Sequence, residues 1–161
     1  MNEAANDFEG RTRLAACFDE ILQAIQPTWG EKHRLDAYAS PRLPDLDCDP
    51  VSFQNAVLNL LLNAREAMPD GGVIYLRAET SRTNDAQSAI ELRVSDAGAG
   101  ATRAMIAADY APSPKPRSIG MEESGWPLLD RFVLGAGAHL AVERCCAAGA
   151  TFVLRLPAAS R

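Results

Sequence analysis

The sequence predicts an α+β fold: a two-layer α/β sandwich with one mixed or antiparallel sheet and helices over one face. Three observations carry this. Strand-like stretches cluster in hairpins instead of alternating singly with helices. Helical apolar spacing recurs in separate segments. And Ile90, Leu92 and Val94 alternate with Glu91, Arg93 and Ser95, the pattern of a strand with one covered and one wetter face.

Taken in order, residues 1–13 are polar and read as a flexible N-terminal segment. One domain follows over 14–157, and 158–161 form a short tail. Leu14, Phe18, Ile21, Leu22 and Ile25 have helical spacing, and Pro27 is expected to stop that helix. A short strand is expected around 33–39. The proline-punctuated stretch SPRLPDLDCDP reads as a loop. Asp49-Pro50 is a helix start, with Asp as N-cap and Pro at the first helical position, and the helix should reach about Met68. The run Pro69-Asp70-Gly71-Gly72 makes a turn. The strands VIYLRAET and IELRVSD follow, joined by the polar turn SRTNDAQS. After Asp96 the chain is rich in Gly and Pro, with only a short helix suggested over 101–109. A further helix is expected from Pro127 to Leu134. Two closing strands, HLAVERC and ATFVLRL, are separated by the turn AAGA.

Composition narrows the function. The chain has 161 residues, 47% hydrophobic and 23% charged, as a globular domain should. A net charge of −5 argues against a nucleic-acid groove or a basic membrane-binding face. It leaves room for a phosphate ligand held by backbone amides or a metal ion. No apolar run reaches the roughly 18 residues of a membrane span, and the N-terminus lacks the apolar core of a signal peptide. A cytoplasmic location follows as the expectation. Cys17, Cys48, Cys145 and Cys146 have neither zinc-ligand nor common disulfide spacing and read as reduced, structural thiols.

The stretch NAVLNLLLNAREAMPDGG carries the chemistry. Asn55, Asn59 and Asn63 recur every fourth residue and stack on one face of a helix that is otherwise mostly apolar. Asn is about 0.5 kcal/mol worse per residue than Ala in a helix, and a buried amide without partners costs roughly 1–3 kcal/mol. An amide oxygen is a hard ligand suited to Mg²⁺, and an amide NH₂ can donate to a phosphate oxygen. Asn59 and Asn63 could therefore hold a metal–triphosphate pair, with Arg65 adding positive charge. Buried polar pairing is the alternative, about as well supported by the pattern. In VSDAGAG, Asp96 ends an amphipathic strand, where a carboxylate can accept from an exocyclic amine. Gly98 and Gly100 let the backbone turn sharply near a ligand.

Together these segments resemble the catalytic, ATP-binding domain of sensor histidine kinases. DPVSFQNAVLNLLLNAREAMPDGG is similar to their N box, VSDAGAG to their first glycine box, and LGAGAHLAVERCCAAGATFVLRLP to their C-terminal ending. The wider superfamily also holds gyrase, the heat-shock chaperones and the MutL proteins. The resemblance covers roughly residues 17–157 and implies the Bergerat-type α/β sandwich of that superfamily, with ATP and Mg²⁺ as cofactors. It implies that Asn63 coordinates Mg²⁺ and Asn59 lies near the phosphates, with Arg65 in the basic position after the N box. It implies further that Asp96 reads the adenine amine while Gly98 and Gly100 line the adenine pocket. Gly125 keeps one glycine of the second glycine box, whose helix N-terminus binds phosphate.

The departures are in that second box and the lid before it. Glu122 and Glu123 bring two negative charges near the expected triphosphate, and Trp126-Pro127 replaces a small flexible turn. Residues 1–26 are expected to be too short for a phosphoacceptor helical hairpin, and His33 and His139 read as non-catalytic. The expectation is thus an ATP-binding kinase domain that supplies the γ-phosphate to a histidine on a separate domain or chain, with no autophosphorylation by this chain alone. Two alternatives stand beside it. One is a degenerate kinase-like module that regulates or scaffolds a two-component partner. The other is a protein-serine kinase of the anti-sigma type.

Overall fold

Helix α1, Leu14–Trp29, buries Leu14, Cys17, Phe18, Ile21, Ile25 and Trp29 on one face. The computed structural model describes residues 13–82, 87–97, 126–143 and 149–159. The helix does not stop at Pro27, as the sequence suggests; it runs on for two residues. Burial and one side-chain hydrogen bond accompany the continuation past the proline. Trp29 is only 4% exposed and anchors the last turn, and the Thr28 hydroxyl donates to the Ile25 carbonyl at 2.8 Å. Gly30, at φ +66°, then ends the helix.

Strand β1, His33–Ala39, leads to a loop and to helix α2, Pro50–Glu66. The hairpin of β2, Gly72–Arg82, and β3, Ser88–Asp96, comes next. Both strands are longer than their apolar patterns suggest, because Ser81, Arg82 and Ser88 continue the ladder. Helix α3, Trp126–Gly135, precedes β4, His139–Glu143, and β5, Ala150–Pro157. The short helix suggested over 101–109 lies outside the described residues.

The five strands form one mixed sheet in the order β1-β2-β3-β5-β4, with β1 parallel to β2 and every other pair antiparallel. Side-chain alternation divides its faces. Ile74, Leu76 and Ala78 of β2, Ile90, Leu92 and Val94 of β3, and Phe152, Leu154 and Leu156 of β5 belong to the core with the apolar faces of the helices. α1 packs on β1, and α2 packs on β2 and β3 between α1 and α3. The expected two-layer sandwich is what forms. Ala158 and Ala159 extend the last strand's bonding to Ser88 and Asp45.

The other face of the sheet is polar and paired. Arg93 binds Glu91 on its own strand at 2.6 Å and Glu143 on β4 at 2.8 Å. Its side chain therefore crosses β5, where its register partner Val153 is fully buried. Arg155 joins Glu91 at 3.0 Å. Burial alone would push the Glu91 carboxyl up, but the bonds from Arg155 and Arg93 outweigh it and hold it below its ordinary value of 4.5. Arg77 pairs with Asp36 at 2.9 Å and lies over the Tyr75 ring.

The turn after α2 locks the two ends of the parallel pair. Gly72 donates to the Lys32 carbonyl at 2.9 Å, and His33 Nε2 bonds the Met68 carbonyl at 2.7 Å. A Cβ at Gly71 would lie 2.4 Å from the Lys32 carbonyl oxygen, and its φ is +97°, so only glycine fits there without strain.

Candidate functional site

Helix α2 is built as its sequence requires. The Asp49 carboxylate accepts from the Ser52 backbone N–H and from the Ser52 hydroxyl, each at 2.8 Å. Those bonds hold it below its ordinary range, and Pro50 fills the first turn. Phe53, Ala56, Val57, Leu60, Leu61 and Ala64 form the buried face, with the Phe53 ring 6.2 Å from that of Phe132 on α3.

The asparagine column lies along the rim of that face. Asn55 is exposed, whereas Asn59 and Asn63 are half-buried, so the helix is less enclosed than its composition suggests. The Asn63 amide nitrogen is itself buried and has no hydrogen-bond partner among the described residues. Arg65 is half-buried and leaves α2 about 200° around the helix from Asn63, away from the asparagine stripe.

Asp96 arrives from the sheet. It is half-buried and ends β3. In the alternation it follows Ile90, Leu92 and Val94, all fully buried, so it belongs to the face that carries the helices. That face packs directly on α2, which bears Asn59 and Asn63. Asp96 stands opposite Ala150 on β5. Gly98, Gly100 and Gly125 lie outside the described residues.

A groove of about 370 Å³ also opens between α2 and α3. Asp49, Ser52 and Asn55 line it from one side and Arg131, Phe132 and Gly135 from the other. It contains Asn55 but neither Asn59 nor Asn63. The two histidines have other places. His33 is bonded to the Met68 carbonyl with its ring edge-on to Trp29, and His139 is exposed at the start of β4.

Two features escaped the sequence reading. Gly149 belongs in the sequence to the turn AAGA and to the Gly-x-x-Phe pattern of the family ending, neither of which shows that its backbone meets that of Asp96 closely. Ser95 and Thr151 share a hydroxyl–hydroxyl bond at 3.0 Å beside that contact. The glycine three residues before Phe152 was the available signal, but spacing within a strand cannot show which strand lies opposite.

Comparison with known proteins identifies the family and supports the fold. The family described as histidine kinase-, DNA gyrase B-, and HSP90-like ATPase matches residues 48–160. Sensor histidine kinase ZraS from Escherichia coli is 29% identical over 121 residues, covering 74% of this chain and 24% of that protein. The chain thus spans about a quarter of the length of the curated relatives it matches. Among solved structures, the mycobacterial sensor histidine kinase MprB superposes with a TM-score of 0.73 at 20% identity, covering 94% of this chain and 98% of that one. The catalytic domain of histidine kinase ThkA gives 0.73 at 15% identity, covering 92% and 94%. A full-length ShkA structure in complex with AMPPNP gives 0.69 at 20% identity, covering 93% and 31%. The chain belongs to the histidine kinase-, DNA gyrase B-, and HSP90-like ATPase family, as a domain of the ATP-binding, catalytic kind found in sensor histidine kinases.

Proposed function

We propose that this chain binds ATP with Mg²⁺ and presents the γ-phosphate to a histidine on a separate domain or chain, in the cytoplasm. The observation that carries this is the Asn63 amide nitrogen, buried and without a hydrogen-bond partner among the described residues, on the helix that matches the family. Such a group costs about 1–3 kcal/mol unless something binds it, and its donor set suits the ligand. An amide offers an oxygen to Mg²⁺ and an N–H to phosphate. Asn63 and Asn59 are the residues that would hold the metal–phosphate end. Asp96, from the facing layer, would accept from the exocyclic amine of adenine, with Gly98 and Gly100 beside the base and Gly125 toward the phosphates. When bound, the metal offsets phosphate charge.

The transfer itself demands positioning more than covalent work by the protein. The bond between the γ-phosphorus and the bridging oxygen breaks, ADP leaves, and a phosphorus–nitrogen bond forms on the acceptor imidazole. The chain's residues hold the nucleotide; the partner supplies the nucleophile. That one relative was solved with AMPPNP supports a nucleotide site of this kind. The sequence departures from the second glycine box, Glu122, Glu123 and Trp126-Pro127, support a second reading, a module that scaffolds a two-component partner without using nucleotide.

Calorimetric titration with ATP, with and without Mg²⁺, separates the two. The kinase reading expects saturable binding in the micromolar to sub-millimolar range, lost in Asn63→Ala. Absence of binding at several millimolar ATP would overturn it in favour of the scaffold.

A further inference from the structure

The end of β3 that carries Asp96 is held from β5 by two contacts. First, Gly149 precedes Ala150, the register partner of Asp96. A Cβ at Gly149 would lie 2.2 Å from the Asp96 carbonyl oxygen and 3.1 Å from the Ala97 Cα. Both obstacles are backbone, so no flexible side chain can yield. Gly149 also sits at φ +116°, where other residues are strained. Second, Ser95 and Thr151 are register partners, and their hydroxyls are bonded at 3.0 Å. Thr151 is only 6% exposed, so this bond is shielded. Ser95 belongs to the face opposite Asp96. One contact thus fixes the backbone of Asp96 and the other fixes the residue before it.

We propose that Gly149 and Thr151 are positioning residues for the Asp96 carboxylate, and so set the preference for an adenine base over a purine lacking the exocyclic amine. The inference rests on the reading of Asp96 given above. Any side chain at 149 must push the Asp96 carbonyl outward by about 1 Å to restore ordinary contact, and displacement on that scale is costly at a positioned site. The carboxylate rides on the same residue, so it moves with the carbonyl.

The test compares the binding of ATP and of inosine triphosphate by wild type, Asp96→Asn, Gly149→Ala and Thr151→Val. Melting temperatures are recorded alongside, and Gly135→Ala serves as control because no atom lies within 4 Å of its added Cβ. Gly149→Ala should lose about tenfold or more in ATP affinity, with the ATP preference falling toward unity. Thr151→Val keeps the side-chain shape and should lower the preference by about two- to fivefold. A change in base preference is a readout that general loosening of the fold would not produce. If Asp96→Asn loses the preference while Gly149→Ala keeps it, the positioning role is overturned and the Asp96 reading stands. If Asp96→Asn keeps the preference, the Asp96 reading itself fails, and this inference with it. Should Gly149→Ala fail to fold, Thr151→Val decides: a reduced preference supports the proposal and an unchanged one overturns it.

Discussion

Replacing Asn63 by Ala should stabilise the ligand-free chain while removing its nucleotide site. The signs follow from the structure. The Asn63 amide nitrogen is buried without a partner among the described residues, and relieving such a group returns about 1–3 kcal/mol. Exchanging Asn for Ala inside a helix adds about 0.5 kcal/mol. Against these stands the lost packing of a half-buried side chain, about 1 kcal/mol by area. The net is roughly 0.5–2.5 kcal/mol in favour of the variant. For a chain of this size that raises the melting temperature by a few degrees, about 3–6 °C near the middle of the range. Ligand reverses the order. At a concentration about a hundredfold above Kd, binding stabilises the wild type by about 2.7 kcal/mol and leaves a non-binding variant unchanged. Scanning calorimetry of both proteins, with and without Mg-ATP, measures all four melting temperatures. A ligand-free variant that melts several degrees below wild type would show that the amide is satisfied, and the reasoning from its isolation would fail.

Three other perturbations test the frame around the site. Phe53→Ala removes a fully buried ring packed on Phe132 and should cost about 3–5 kcal/mol by urea unfolding; a loss under about 1 kcal/mol would mean that α2 is not anchored there. Glu91→Gln tests the outer-face network. The folded carboxyl titrates below its ordinary value of 4.5, so its stabilisation is present above that value and is lost as pH falls through the lower folded one. The variant should lose about 1–2 kcal/mol at neutral pH and show a shallower acid dependence below pH 4.5; an unchanged acid limb would refute the pairing. Gly71→Ala, at φ +97° against the Lys32 carbonyl, should destabilise by about 1–3 kcal/mol in the same denaturant assay, and a neutral result would show that the turn can shift freely.

Local patterns were legible wherever one element settled its own geometry. Asp49 and Pro50 announced the start of α2, and period-two alternation in β3 announced both its faces. The end of α1 is not legible locally, because Pro27 is a local signal, while the burial of Trp29 that overrides it is tertiary. The enclosure of α2 is hidden for a related reason: apolar composition does not reveal where a layer ends, and Leu62 and Val51 are exposed. Contacts between distant strands, such as Gly149 against Asp96, leave no periodic trace in the chain. The family segments were readable because their chemistry is written in contiguous residues.

The polar groups of the two faces of the sandwich are satisfied differently. On the outer face, Glu91, Arg93, Arg155 and Glu143 form one connected network, and Asp36 pairs with Arg77. These groups are paired within the chain. Between the layers the situation differs at Asn63, whose buried nitrogen is left over next to an apolar face that folding alone would extend. Leu60, Leu61 and Ala64 surround it in sequence, and each is almost fully buried. A chain selected only to fold would carry Ala or Leu at 63 as well, gaining both helix propensity and packing. Under the proposed function, Asn63 is kept at that cost for a partner that arrives from outside the chain.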